Sequence, residues 1–116
     1  MYHGFMARWL HELTANEQTR LKSLCLAMRR IKPKGWSVVW RTNEVSVRPA
    51  DRSLGRFSAI YSERHGYGLS FFCRALGVWN KHRRFQDNSS VVERIVCWMV
   101  QAVDDPGREE SDEHAV

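Results

Sequence analysis

The sequence predicts a single α+β domain: N-terminal helices, a four-stranded antiparallel sheet in meander order, and a C-terminal helix packed on one sheet face. Three observations carry that expectation. From Trp36 to Arg74 apolar and polar residues alternate with the period of two that suits a sheet buried on one side only. On either side of that stretch, apolar residues recur at helical spacing. Thr14-Ala15-Asn16-Glu17 and Ser90-Val91-Val92-Glu93 both carry the Ser/Thr-x-x-Glu pattern that opens a helix. The domain is expected to occupy residues 1–103, with residues 104–116 an acidic, disordered tail.

The first stripe, Phe5, Met6, Trp9, Leu10 and Leu13, spans about two turns and predicts a short amphipathic helix that must pack on another element. Thr14 then caps a longer helix, its hydroxyl accepting from the Glu17 backbone N–H while the Glu17 carboxylate returns to the cap. This helix is expected to reach about Ile31, with Leu21, Leu24, Cys25, Met28 and Ile31 on one stripe, and to stop before Pro33 and Gly35. Trp36–Arg41 and Val45–Arg48 are expected to pair as a hairpin across Arg41-Thr42-Asn43-Glu44, with Asn43 at a positive φ and Pro49 ending the second strand. A polar loop from Ala50 to Gly55 leads to a second hairpin, Phe57–Ser62 with Tyr67–Arg74, closed by Glu63-Arg64-His65-Gly66.

Ala75–Asn80 reads as either strand extension or turn. Lys81-His82-Arg83-Arg84-Phe85-Gln86 has no apolar period and is expected to be an exposed loop. The Ser90 capping box opens the last helix, which runs to about Val103 before Asp104-Asp105-Pro106-Gly107 stops it. Its apolar residues cover roughly 200° of the circumference, so it is either central to the core or half of a homodimer interface.

The alternation assigns Trp36, Val38, Trp40, Val45, Val47, Phe57, Ala59, Tyr61, Tyr67, Leu69, Phe71 and Cys73 to a helix-covered face. The other face then carries Ser37, Val39, Arg41, Ser46, Arg48, Ser58, Ile60, Ser62, Gly68, Ser70, Phe72 and Arg74. It is small, hydroxylated and arginine-bearing, and is the expected working surface.

With 116 residues, 43% of them apolar, the chain has enough for one core without metal or disulfide support. Cys25, Cys73 and Cys97 are odd in number and sit within apolar segments, so they are expected to be reduced core thiols. No stretch has the pattern of a signal peptide or a membrane span, and the expected location is cytoplasmic. His3, His11, His65, His82 and His114 are scattered, with no CxxC or HxxxH pair, no glycine-rich phosphate loop and no GxSxG. Neither a metal, nor another cofactor, nor an enzymatic activity is expected.

Charge is the strongest functional signal. Residues 1–103 hold 17 Lys and Arg against 7 Asp and Glu, a net of +10; residues 104–116 hold 6 acidic residues against Arg108, a net of −5. Such a body attracts polyanions, nucleic acid foremost. The expected function is therefore a non-enzymatic module engaging nucleic acid or an acidic nucleoprotein partner. Arg41, Arg48 and Arg74 on the open face, with Lys81, His82, Arg83 and Arg84 after it, would meet phosphates; Phe72, Trp79 and Phe85 would be platforms for bases. A secondary basic ridge, Lys22, Arg29 and Arg30 around the apolar knob Leu26, lies off the buried stripe of the long helix.

Two alternatives belong to other classes. Compact chains without motifs are often carried by phages or mobile elements and inhibit or adapt a host complex by protein docking, and an Arg-plus-aromatic surface suits that role. Hydrolysis of RNA would need a proton-moving group beside cations, which His82 with Arg83 and Arg84, or His65 with Arg64 and Tyr61, would supply. In its outline of helices, antiparallel sheet and helix, with basic residues after the last strand, the chain is similar to the small ribosome-associated ribonuclease toxins, although the Val45–Arg48 strand departs from that outline.

Overall fold

A computed structural model of the chain describes residues 13–107. The short helix expected over Phe5–Leu13 lies outside the described residues except for Leu13, which is partly buried against the core; the tail beyond residue 107 also lies outside them. The fold is α+β: helix α1 (Ala15–Ile31), strands β1 (Ser37–Trp40), β2 (Val45–Arg48), β3 (Gly55–Ser62), β4 (Gly66–Cys73) and β5 (Val78–Phe85), and helix α2 (Val91–Asp104). All strands are antiparallel in the order β1-β2-β3-β4-β5, so the sheet has five strands rather than the four that alternation predicts.

The two helices begin differently. At α1 the capping box forms: Glu17 N–H donates to Thr14 Oγ1 at 3.1 Å, and Thr14 N–H donates to Glu17 Oε1 at 3.0 Å. The same carboxylate accepts from the Glu63 N–H through Oε2 at 3.0 Å, and Thr14 Oγ1 and Asn16 Nδ2 donate to Glu63. The start of the helix is thereby tied to the β3–β4 turn. At α2 the expected box is absent. Ser90 makes no side-chain cap: its backbone, at φ −107° and ψ 13°, is not extended as that of Thr14 is, and its N–H and hydroxyl both donate back to Asn88 Oδ1 in an Asx turn.

The β1–β2 hairpin forms as expected, with Arg41 N–H donating to Glu44 O at 2.9 Å, but Asn43 keeps a negative φ. Four connecting residues leave room for an ordinary turn, so no left-handed residue is needed. Gly55 does need its freedom: at φ +130° it opens β3 so close to the Phe72 carbonyl that no side chain fits.

The core lies between the sheet and both helices. Leu21, Leu24, Cys25 and Met28 of α1 and Val91, Ile95, Trp98, Met99 and Ala102 of α2 meet the expected sheet face, with Phe57 and Phe71 at its centre. Those two rings stack at 4.4 Å, Trp36 stacks on Phe57 at 6.0 Å, and Trp98 meets Phe57 and Phe85 edge-on. The apolar girth of α2 is accommodated within one chain, because Val92, Val96, Val100 and Val103 are also packed against this core. Ile31 leaves the α1 stripe and is 42% exposed. Cys25 and Cys73 are buried free thiols, and burial pushes the Cys25 thiol up against the opposing pull of Arg29. Cys97, by contrast, is exposed on α2, where Gln101 reaches its sulfur.

Candidate functional site

The fifth strand reorganises the expected binding surface. Residues 81–86 were expected as a loop, yet Val78–Phe85 pairs with β4 along its length, from Tyr67↔Phe85 to Cys73↔Val78. Backbone hydrogen bonds hold this strand, while its inward positions carry Lys81 and Arg83, so hydrophobic alternation cannot show it. Its side chains alternate between faces. Lys81 lies opposite Phe71 on the helix side and is 3% exposed; Arg83 lies opposite Leu69, half-buried with its guanidinium 5.9 Å over the Phe85 ring. Phe85 is itself a core residue, opposite Tyr67 and against Trp98. Neither Lys81 nor Phe85 is on an exposed loop, and Phe85 is no surface platform.

A register shift between Phe71 and Phe72 places one extra residue, Asn80, in β5. Its amide Nδ2 donates to the Pro106 carbonyl just beyond α2, so Asn80 faces the helices beside Lys81, and its Oδ1 is buried without a partner. Because of this bulge, Trp79 and His82 both emerge on the open face, opposite Phe72 and Ser70.

That open face, on which neither α1 nor α2 packs, consists of transverse rows. One crosses all five strands as Val39, Ser46, Ser58, Ser70 and His82; beside it, Ser37 pairs with Arg48 on β1 and β2, and a second row runs Arg56, Phe72 and Trp79 across β3 to β5. In the first, the Ser58 hydroxyl donates to Glu44, which also pairs with Arg56 at 3.8 Å. At the far end, His82 Nε2 faces the Trp79 carbonyl at 3.3 Å and Nδ1 faces Ser70 Oγ at 3.1 Å. A carbonyl only accepts, so Nε2 is the donor, and in the neutral ring Nδ1 then accepts the Ser70 hydroxyl. In the second row, Phe72 packs edge-on against Trp79 at 5.4 Å and the Arg56 guanidinium sits 4.8 Å over the indole. Trp79 nevertheless remains 38% exposed.

The sequence-predicted cations do not all converge. Arg48 ends β2 opposite Ser37 on the open face, and Arg84 lies there opposite Gly68. Arg41 and Arg74 are exposed but belong to turns at opposite ends of the sheet, after β1 and after β4. Arg56, left between the expected loop ending at Gly55 and the expected strand starting at Phe57, is the residue missed; it lies in β3 opposite Phe72, where continuing the alternation one step back from Phe57 would have placed it. On α1, Lys22, Arg29, Arg30 and Leu26 are exposed as expected, but Arg29 Nε donates to the Val38 carbonyl at 3.1 Å, which engages the edge of β1.

Of the two proton-and-cation groups, His82 and Arg84 share the open face, and His65 and Arg64 are exposed in the β3–β4 turn. Arg83 is on the opposite face from His82 and Arg84, and the Tyr61 hydroxyl donates to Asp87 under the helices at 3.3 Å. Asp87 is also paired with Arg20 at 2.9 Å. Among the described residues no group of His, Cys, Asp and Glu is arranged to hold a metal ion, and no helix is long and apolar enough to cross a membrane. Comparison with protein-family models, curated proteins and solved structures finds no match to the chain.

Proposed function

We propose that the protein is a non-enzymatic nucleic-acid-binding module whose ligand is a single strand lying across the open sheet face. The observation that carries this reading is the half-uncovered Trp79, held between Phe72 and the Arg56 guanidinium, with Arg48, His82 and Arg84 on the same face. An aromatic plane fixed from behind and bordered by cations suits an unstacked base and its phosphates. Of the neighbouring row, Ser70 and His82 are accessible to such a strand, whereas Ser46 and Ser58 are buried. A duplex suits such a platform less well, because its bases are already stacked and face inward.

The test is binding of fluorescent single-stranded RNA and DNA oligonucleotides over a salt series. Binding that weakens linearly in log–log form is expected, with Trp79→Ala losing about 1–3 kcal/mol. Salt-independent binding, or an unchanged affinity in Trp79→Ala, would reject the reading. Docking on a protein is favoured instead by Leu76, 49% exposed in the β4–β5 turn that leads to Trp79. Leu76→Asp separates the two: it would abolish capture of a protein partner while leaving oligonucleotide affinity nearly unchanged.

A further inference from the structure

We infer that the acidic segment 108–116 docks along β5 and competes there with nucleic acid for the basic edge of the open face; the competition, though not the docking, rests on the function proposed above. The segment's origin is fixed by the fold. Asn80 Nδ2 donates to the Pro106 carbonyl, so the chain leaves α2 against the strand that carries Lys81, His82, Arg83 and Arg84. Nothing basic lies in the last turn of α2, where Asp104 and Asp105 face the negative end of the helix dipole. An acidic continuation is repelled from that helix end and attracted to β5.

Charge and reach both match. Residues 108–116 carry Glu109, Glu110, Asp112 and Glu113 against Arg108. Fully extended at ~3.3 Å per residue they span up to about 30 Å, enough to follow the strand and turn its rim. As the last strand in the sheet order, β5 separates the helix side from the open side by a single edge, so carboxylates from Pro106 reach His82 and Arg84 without crossing a helix. Held at millimolar effective concentration, even a weak acidic peptide would displace an oligonucleotide about three- to tenfold at low salt, and hardly at all above about 0.5 M.

Two measurements on the full chain test this separately. With Cys97→Ser removing the exposed thiol, a spin label on Ser111→Cys is expected to broaden the amide signals of residues 81–85 at low salt and to release them at high salt, with no nucleic acid present. Absence of broadening overturns the docking. Independently, truncation after Gly107, and full-length protein with Glu109→Gln, Glu110→Gln, Asp112→Asn and Glu113→Gln, should each raise oligonucleotide affinity by that factor. Broadening with unchanged affinity overturns the competition. Broadening without oligonucleotide binding by any variant leaves the docking standing and rejects the nucleic-acid reading.

Discussion

Strands β4 and β5 are paired along their whole length, yet they divide the two sides of the sheet in different ways. On β4 every helix-side residue, Tyr67, Leu69, Phe71 and Cys73, is buried and apolar or aromatic, while Gly68, Ser70 and Phe72 face the open side. On β5 the helix side holds Val78, the bulged Asn80, Lys81, Arg83 and Phe85, and only Phe85 joins the aromatic core. The difference shows where the helical layer overlies the sheet. Beneath it, each position needs an apolar side chain, whereas at the rim a long cation can lay its methylenes on the core and turn its charge toward solvent or a neighbour.

The sharpest way to break this comparison is the adjacent pair Phe71 and Phe72. Phe71→Ala removes a fully buried ring stacked on Phe57 and is expected to cost about 3–5 kcal/mol, read as a lower denaturant midpoint at unchanged slope. Phe72→Ala, on the other side of the same strand, should cost only about 1 kcal/mol and act mainly on ligand affinity. Equal losses would mean that the open face is not open. The helix starts provide the next contrast. Thr14→Ala is expected to destabilise by about 1 kcal/mol, whereas Ser90→Ala, which removes no cap, should fall within about 0.5 kcal/mol of the parent.

Two smaller effects sharpen the comparison. Arg84→Ala should reduce the log–log salt slope of oligonucleotide binding by about one unit, and Arg83→Ala, on the covered side, by much less. The pH dependence reports the helix side of β4. Burial first, and then the nearby Asp87 charge, push the Tyr67 hydroxyl up to about 12. An unfolded tyrosine ionises near about 10, so the unfolded chain loses its proton first. Stability from this group is therefore complete below about pH 10 and lost as the pH rises towards 12. Tyr61 is displaced in the same direction by burial and Asp87. A denaturation series over that range should show the decline, and Tyr67→Phe should flatten it.

The fold was legible wherever burial imposes a period. The alternation from Trp36 to Cys73 located β1 to β4 and sorted their faces correctly, and the α1 capping box marked that helix start. Three features escaped. β5 was hidden because its helix-side residues include Lys81 and Arg83, so composition concealed a strand held by backbone pairing. The α2 box failed because an Asx turn on Asn88, a residue outside the pattern, takes the Ser90 N–H and accompanies a Ser90 backbone that is not extended as a cap requires. The tie between Glu17 and Glu63 joins residues 46 positions apart, a distance at which no local pattern acts. Of the candidate surface, Arg48, Phe72, Trp79, His82 and Arg84 fall together on one side, while Arg83 and Phe85 are drawn to the other by the parity of a strand that the sequence did not disclose.

The irregularity at Asn80 acts as a phase shifter. Deleting that single residue would restore strict pairing with β4 and leave every neighbour on its present side, because Val78, Trp79, Lys81 and His82 would then simply alternate in, out, in and out. Regular pairing with Asn80 kept in step would do the opposite: three positions apart, the indole and the imidazole could not share a surface. A one-codon deletion at Asn80 is thus a milder edit of this sheet than a deletion at a regularly paired position of β5, which would throw one flank out of step with β4.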